Sequence, residues 1–400
     1  MTPGVGNQHA RKLLTAFGLP QAIFDQPTLA LKHVVSAAMA RALQAIPDEF
    51  DSQLQTTWLW LQAGTIDAIT GQNNRIFLTL ADARYPVSLL NIEDPPLVLY
   101  LHGHVDLISR LDPQVADAHR KAPYKHAKNG IAMVCSRNPT PQGLANAHAF
   151  GKAFTEAGLV VVSGLALGID GAAHEGAMEG QQNSNEGCTI AVIGTGLDRV
   201  YPSKHLALAH RIVQQGLMVS EFPLGTPPLP ANFPKRNRII SALSLGTLVV
   251  KAAVKSGSLI TARLANEQGK EVFAIPGSIH STQSRGCHAL LKQGAKLVES
   301  AQDVLEELRL QLTPPLVPPS KILKTDENPA EDDITDITDI TDIEPDDLVK
   351  SLGYDPVSLD ALVARTGWDA ATLQVRLMEL ELDGQVARLP GGLYQRVVAG

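Results

Sequence analysis

The sequence predicts an α/β fold, an extended Rossmann-like parallel sheet with a small helical domain before it and a winged-helix domain after it. Three observations carry this. Six short apolar runs, IAMVCS, LVVVSG, TIAVIG, LMVSEF, TLVVK and EVFAIPG, alternate with amphipathic stretches between residues 129 and 310. Continuous runs of that length are the mark of strands buried on both faces of a parallel sheet. Residues 1–70 carry helical rather than strand patterning, and residues 346–400 read helix, helix, hairpin, the order of a winged helix.

With 400 residues and 44% hydrophobic content, the chain can bury an ample core and divide into two or three domains. Its start, MTPGVGNQHARKLLTAFGLP, lacks the sustained apolar core of a signal peptide, and no uninterrupted apolar run approaches the roughly 18 residues of a membrane helix. The expected compartment is the cytoplasm, with no membrane partner. Cys135, Cys188 and Cys287 are odd in number and far apart, so reduced thiols are expected, without a disulfide framework or a CxxC metal site. The formal net charge is -7, yet 11 acids and no Lys or Arg lie between Asp326 and Asp347, and without them the remainder stands at +4. Local charge therefore decides which partners are admitted.

In chain order, residues 1–70 hold LLTAFGLPQAIF and LKHVVSAAMARALQAI, then Trp58 and Trp60. The turn Phe17-Gly18-Leu19-Pro20 suits either a phosphate-facing pair of helices or an ordinary helix connection. After Gly71 the runs RIFLTL and PLVLYLHG are strand candidates bounded by Pro86, Pro95, Pro96 and Gly103. His102 and His104 would share one face of an extended strand, and with no third ligand nearby they read as a structural pair. The sheet domain takes residues 71–310. Its strands end in CSRNPT, SGLALGIDG, GTGLDRVYP, FPLGTPPLPANFPKRN, KSGS and PGSIHS, loops that an open α/β sheet gathers at its carboxyl edge.

Residues 311–345 are Pro-rich and then acidic, with the near-repeat DITDITDITDI, and are expected to be a disordered linker. Beyond them come LDALVART after Ser358, a second helix from Asp369 to Asp383, and two short strands around Pro390-Gly391-Gly392. That second helix sets one Arg against Asp369, Glu379, Glu381 and Asp383. An anionic duplex is repelled by such a face, which points to protein contacts or regulation, with duplex binding as the alternative.

The chemistry concentrates in one window. From Phe222 to Asn266 there is no acid, while Lys235, Arg236, Arg238, Lys251, Lys255 and Arg263 all fall inside it. A strand followed by a loop and a helix N-terminus is an anion receptor, because unpaired N–H groups and the helix dipole point the same way. Three such places carry a useful side chain: Ser136-Arg137, Lys235 to Arg238, and Ser256-Gly257-Ser258-Leu259-Ile260-Thr261. Arginine forks can hold phosphate bidentately and the hydroxyls can add donors or cap the helix. Several receptors in a row suit a polymer better than one nucleotide. Gly194-Thr195-Gly196 is a lone GxG with Arg199 where a third Gly would be needed, and no GxxxxGK[ST] is present; neither NAD nor any other cofactor is expected. Asp170 and His174, four apart, invite an acid/base reading, against which stands a helix N-cap with a buried histidine behind it. Glu221 has no partner acid for hydrolysis.

Four segments, VVSGLALGIDGAAHEGAM, AVIGTGLDRVYPSKH, SEFPLGTPPLPANFPKRNRIISALS and SGSLITARLANEQGKEVFAIPG, together resemble the DNA-processing protein A family (DprA, also called Smf). The likeness runs from about Arg84-Tyr85-Pro86 to Gly294-Ala295. It implies an extended Rossmann domain that binds single-stranded DNA, forms a homodimer and loads RecA during natural transformation, with single-strand-binding protein as competitor on the strand, and that is not an enzyme. It also implies outer domains of sterile-alpha-motif and winged-helix type. By motif, Arg137 matches the family's phosphate-gripping arginine. Lys235, Arg236, Asn237 and Arg238 match its arginine-asparagine-arginine stretch, and Ser256, Gly257, Ser258 and Thr261 its Ser-Gly-Ser-Leu-Ile-Thr segment. The departures are Cys135 for the glycine before Ser136, Lys251 for a Glu, His288 for an Asn, and Lys204-His205 shifted after Tyr201-Pro202. The alternatives are an enzyme on nucleotides or nucleosides, whose PGGxGTxxE segment is missing, and a scaffold whose basic window is merely solvated.

Overall fold

In a computed structural model the six predicted runs all become strands. The structure describes residues 2–66, 73–111, 128–135, 140–181, 186–279, 281–308, 347–352 and 356–397; Ser136, Arg137 and the expected 311–345 linker lie outside them. Two compact units divide the chain, Met1–Leu308 and Arg309–Val398.

The first unit opens with α1 (Asn7–Phe17), α2 (Pro20–Phe24), α3 (Thr28–Leu31), α4 (Ala37–Leu43) and α5 (Phe50–Gln62). Leu13, Ile23, Leu31, Ala40 and Leu43 form the core of the first four, to which α5 adds no buried residue. Gly18, at φ 83°, ends α1 and donates its N–H to the Leu14 carbonyl at 2.8 Å, so that donor is taken up within its own helix. The strands are β1 (Arg75–Thr79), β2 (Val98–Gly103), β3 (Gly130–Val134), β4 (Val160–Ser163), β5 (Thr189–Val192), β6 (Leu217–Ser220), β7 (Gly246–Val249), β8 (Glu271–Ala274) and β9 (Lys296–Leu297). Between them stand α6 (Val87–Leu90), α7 (Leu107–Arg110), α8 (Pro141–Glu156), α9 (Ile169–Glu179), α10 (Leu206–Gln215), α11 (Asn232–Ala242), α12 (Ser258–Glu267), α13 (Arg285–Lys292) and α14 (Ala301–Glu307).

Among the described residues the sheet runs β1-β2-β6-β5-β4-β3-β7-β8-β9. From β6 to β9 every pairing is parallel. Strands β3 to β7 are buried along their whole length, which is why their sequences are continuous apolar runs rather than alternating ones. β2 pairs antiparallel with β6, and β1 with β2. The parallel part begins in the middle at β3, builds outward through β4, β5 and β6, then returns to β3's other edge with β7. That reversal leaves a crevice at the carboxyl ends of β3 and β7, where open α/β sheets take their ligands.

The second unit holds α15 (Asp347–Leu352), β10 (Val357–Ser358), α16 (Leu359–Thr366), α17 (Ala370–Leu382), β11 (Val386–Leu389) and β12 (Leu393–Arg396). Ser358 and Asp369 cap α16 and α17 with their side chains. The strands pair β10-β12-β11 around Leu362, Leu373, Leu377, Leu380 and Tyr394, and the hairpin turns at Gly391 and Gly392, both at positive φ. This is the winged-helix domain expected from the sequence.

Candidate nucleic-acid interface

The crevice is a pocket of about 580 Å³. Cys135 lines it at the end of β3, Gly164 and Ala166 after β4, and Lys255 to Ser258 after β7, while α11 and α12 supply Phe233, Arg236, Asn237 and Thr261. With Tyr201 and Pro202 after β5 also in the lining, five of the six loops foreseen at one edge meet around one space.

The basic stretch forms the first half of α11, with Pro234 in its opening turn, where an absent N–H is not missed. Consecutive helical residues lie about 100° apart, so the four polar positions fan out instead of making one face. Lys235 is exposed. Arg236 is only 5% exposed and turns under the pocket floor, donating from Nη1 to the Val192 carbonyl at 2.9 Å. Asn237 lines the pocket and donates to the Gly257 carbonyl at 3.3 Å. Arg238 turns away from it: its fork donates to Glu221 Oε1 at 2.7 Å and Oε2 at 2.6 Å, and its Nε to the Asp94 carbonyl at 2.8 Å. Glu221, which had no visible role in the sequence, is the acid that holds this arginine. The helical N-terminus joins the same cluster, through Asn7 to Glu221 at 3.3 Å and Arg11 to Asp94 at 3.2 Å.

The remaining cations of the window separate in the same way. Lys255 is exposed and lines the pocket. Lys251 donates to the Thr140 hydroxyl at 2.9 Å, and Arg263 pairs along its own helix with Glu267 at 3.2 Å. Lys204 stands exposed in the short turn Ser203–His205, beside Tyr201 and Pro202, which line the pocket. The Cys135 thiol, where a glycine was expected, turns to the Lys251 carbonyl at 2.6 Å.

The opening of α12 brings the hydroxyls together. Ser256 Oγ and Ser258 Oγ are 2.7 Å apart, and Ser256 Oγ accepts the Ser258 N–H at 3.3 Å. Thr261 also lines the pocket; it is 1% exposed and its hydroxyl has no hydrogen-bond partner among the described residues. A buried hydroxyl left unmatched costs about 1–3 kcal/mol, and the helix N-terminus beside it, which opens on the pocket, is suited to an anion.

Asp170 lines the pocket from α9. It is not the N-cap that its position suggested: Gly168, at φ 89°, takes that place, and Asp170 in the first turn accepts the Ala166 N–H at 3.2 Å. Burial raises its pKa, and the Arg236 charge opposes that rise. His174 is the buried histidine expected behind it, and it lies outside the pocket lining. Thr189 donates its one proton to the Val161 carbonyl at 2.8 Å, so its oxygen accepts from His174 Nδ1 at 2.7 Å and the ring is neutral. Burial holds the His174 pKa down at about 3, and burial with the Arg75 charge holds His102 at about 4. The unfolded chain takes up these protons near pH 6.5, whereas the folded chain refuses them until about pH 4 and 3. Stability should therefore fall as pH drops below about 6.5, by up to ~1.4 kcal/mol per pH unit for each ring. Urea unfolding at pH 6.5, 5.5 and 4.5 checks this, and His174→Gln should reduce the slope by one proton.

His102 and His104 do not converge: His102 Nε2 accepts from Arg75 at 3.3 Å, and His104 bonds the Gln214 carbonyl at 2.9 Å. Among the described residues no cluster of His, Cys, Asp or Glu is placed to hold a metal, and no helix is long and apolar enough to cross a membrane. Around Gly194-Thr195-Gly196 the polar groups are taken up locally, Thr195 donating to the Arg199 carbonyl at 2.7 Å and Asp198 accepting the Gly225 N–H at 2.8 Å. Sequence reasoning missed Tyr201, whose ring lies 5.6 Å from that of Phe233 in the pocket wall; an exposed tyrosine beside a proline gave no periodic signal.

Comparison with known proteins gives the site a context. A family profile described as DNA recombination-mediator protein A matches residues 121–309, and one described as DprA winged helix domain matches residues 330–392. The chain is 38% identical to Protein Smf of Escherichia coli over 310 residues, 77% of this chain and 74% of that one. It is 44% identical to DNA processing protein DprA of Streptococcus pneumoniae over 229 residues, 57% of this chain and 73% of that one. The crystal structure of the latter protein superposes with a TM-score of 0.60 at 36% identity, over 76% of this chain and 94% of that chain.

Proposed function

The chain belongs to the DprA/Smf family, and from that premise we propose that it binds single-stranded DNA along the carboxyl edge of its sheet, protects the incoming strand and loads RecA onto it. In this reading it works in the cytoplasm as a homodimer and catalyses no reaction. The observation that carries the reading is the pocket itself, at the carboxyl edge of the sheet, walled by Ser256, Gly257 and Ser258 at the opening of α12 and edged by the exposed Lys255, with Lys235 exposed on the neighbouring α11. The phosphates take their charge from Lys235, Lys255 and Lys204, with Ser136 and Arg137 continuing the chain from Cys135. Ser256, Gly257, Ser258 and Thr261 supply hydroxyl and N–H donors. Asn237 faces the strand, and Arg236 and Arg238 hold α11 in place beneath it. Tyr201 and Phe233 offer stacking to a base or two, so sequence preference is weak.

Oligo-dT should bind with micromolar or tighter affinity, weakening as salt rises because counterions are released. Lys235→Ala and Lys255→Ala should each weaken binding several-fold and lower the salt slope by about 0.7, the single-strand value for one lost phosphate contact. Unchanged affinity and slope in both variants would remove the site; no binding by the parent would remove the function. Adding RecA and single-strand-binding protein then separates a loader from a passive coat.

A second reading, processing of a nucleotide or nucleoside, draws on Asp170, a pocket-lining carboxyl with a raised pKa. It requires release of free base or phosphate from nucleotides or oligonucleotides, a release lost in Asp170→Asn.

A further inference from the structure

Helix α17 is the second helix of the α16–α17 helix-turn-helix pair in the winged-helix domain, the one that this architecture offers to the major groove of DNA. Its inner face is buried through Leu373, Leu377 and Leu380. Directly opposite lie Ala371, Val375, Met378 and Leu382, spaced by four, three and four residues, which is the a/d seam of a coiled coil. The three larger side chains are 61%, 64% and 80% exposed. Buried leucines and a separate outward stripe on one helix are unusual, because an exposed helix face ordinarily carries charge and amide groups.

The borders of the stripe are acidic. Glu379 and Glu381 take the e and g positions beside Met378 and Leu382, and Asp383 follows. Arg376, the helix's one cation, is paired with Glu379 at 2.6 Å. A phosphate backbone meets repulsion here and a base edge meets methyl groups, so duplex readout has nothing to work with. A second copy finds no charge complement here: across a self-pair Glu379 and Glu381 meet Gln374, Thr372 or each other, and no cation stands at an e or g position. The charge leaves one class of occupant.

We propose that α17 is a docking helix for a partner protein, and that it takes an amphipathic helix whose apolar stripe is bordered by lysine or arginine. The apolar seam supplies affinity and the acidic borders supply orientation and choice of partner. This inference does not depend on the single-strand site, which lies in the other unit.

The test uses the full chain and two labelled synthetic helices of about three heptads with leucine at a and d, one with lysine and one with glutamate at e and g. The lysine peptide should bind at least ten-fold more tightly than the glutamate peptide. The double variant Val375→Ser/Met378→Ser, which keeps every charge, should abolish binding. Glu379→Lys/Glu381→Lys should reverse the preference between the peptides. Equal binding of the two peptides, or binding that survives loss of the stripe and so belongs to the acidic 326–347 segment, overturns the proposal. So does self-association of the parent that Met378→Lys removes, or duplex binding that it removes. Because all four positions are exposed, the variants should unfold at the parent's denaturant midpoint and bind oligo-dT as the parent does, which keeps a folding defect or a failed single-strand site from passing as a result.

Discussion

Replacing Arg238 by alanine is expected to destabilise the sheet unit by about 3 kcal/mol, the scale of cost for stripping one partner from a buried ion pair. Glu221 has a side chain only 8% exposed, and Arg238's is 11% exposed. Without the guanidinium, the Glu221 carboxylate keeps one side-chain donor, Asn7 at 3.3 Å, and the Asp94 carbonyl loses its 2.8 Å donor. Double replacement by neutral groups of similar size, Arg238→Met/Glu221→Gln, should recover most of the loss, because it removes the charge left stranded rather than the pair's own attraction. The urea midpoints of the parent and the two variants settle the sign. Oligo-dT affinity, measured well below the unfolding transition, should change less in Arg238→Ala than in Lys235→Ala. An unchanged midpoint with a large loss of affinity would return Arg238 to direct phosphate contact. The N-terminal helix is bound to the same cluster through Asn7 and Arg11, so faster amide exchange in α1 is a second expected sign.

What made the fold legible was burial on both faces. TIAVIG or LVVVSG cannot lie at a surface, and their alternation with amphipathic stretches admits only a sheet covered by helices. The joining of β2 to β6 was not legible, since RIFLTL and PLVLYLHG are recognisable as strands while their pairing is decided by which edge the chain leaves open. The candidate site divides in the same way. Its loops could be placed at one edge from strand order, but in sequence the run Lys235 to Arg238 reads whole, as one anion receptor. On a helix adjacent residues point in different directions, and only contacts distant in sequence, Val192 for Arg236 and Glu221 for Arg238, decide which of them reach solvent. The sequence places Lys255 at that edge only as the start of the KSGS loop and does not single it out, because its value comes from a pocket wall assembled by β3, β4 and α11. Asp170 was misplaced by two residues, as Gly168 can adopt the φ 89° that opens α9 and no side chain is needed there.

Replacing Gly176 by alanine should cost about 2 kcal/mol net, although alanine is the better helix former by about 1 kcal/mol. The reason is the contact between α8 and α9. A Cβ on Gly176 would land on the carbonyl oxygen of His148, one on Gly180 on that of Lys152, and one on Gly151, across the interface, on that of Ala173. These are backbone atoms inside regular helices, so no rotamer change can make room. The two helices must instead separate, and overpacking of this kind costs about 1–3 kcal/mol, occasionally more, as neighbouring contacts at the buried Ala147 and Ala173 are lost with it. That cost exceeds the propensity gain. Gly6→Ala is the control: a Cβ there meets nothing within 4 Å, and it should stay within about 1 kcal/mol of the parent. The consequence reaches the site because α8 and α9 follow β3 and β4, whose ends line the pocket. Gly176→Ala should therefore weaken oligo-dT binding even where the chain remains folded, and an affinity equal to the parent's would mean that the pocket loops are held by the strands alone.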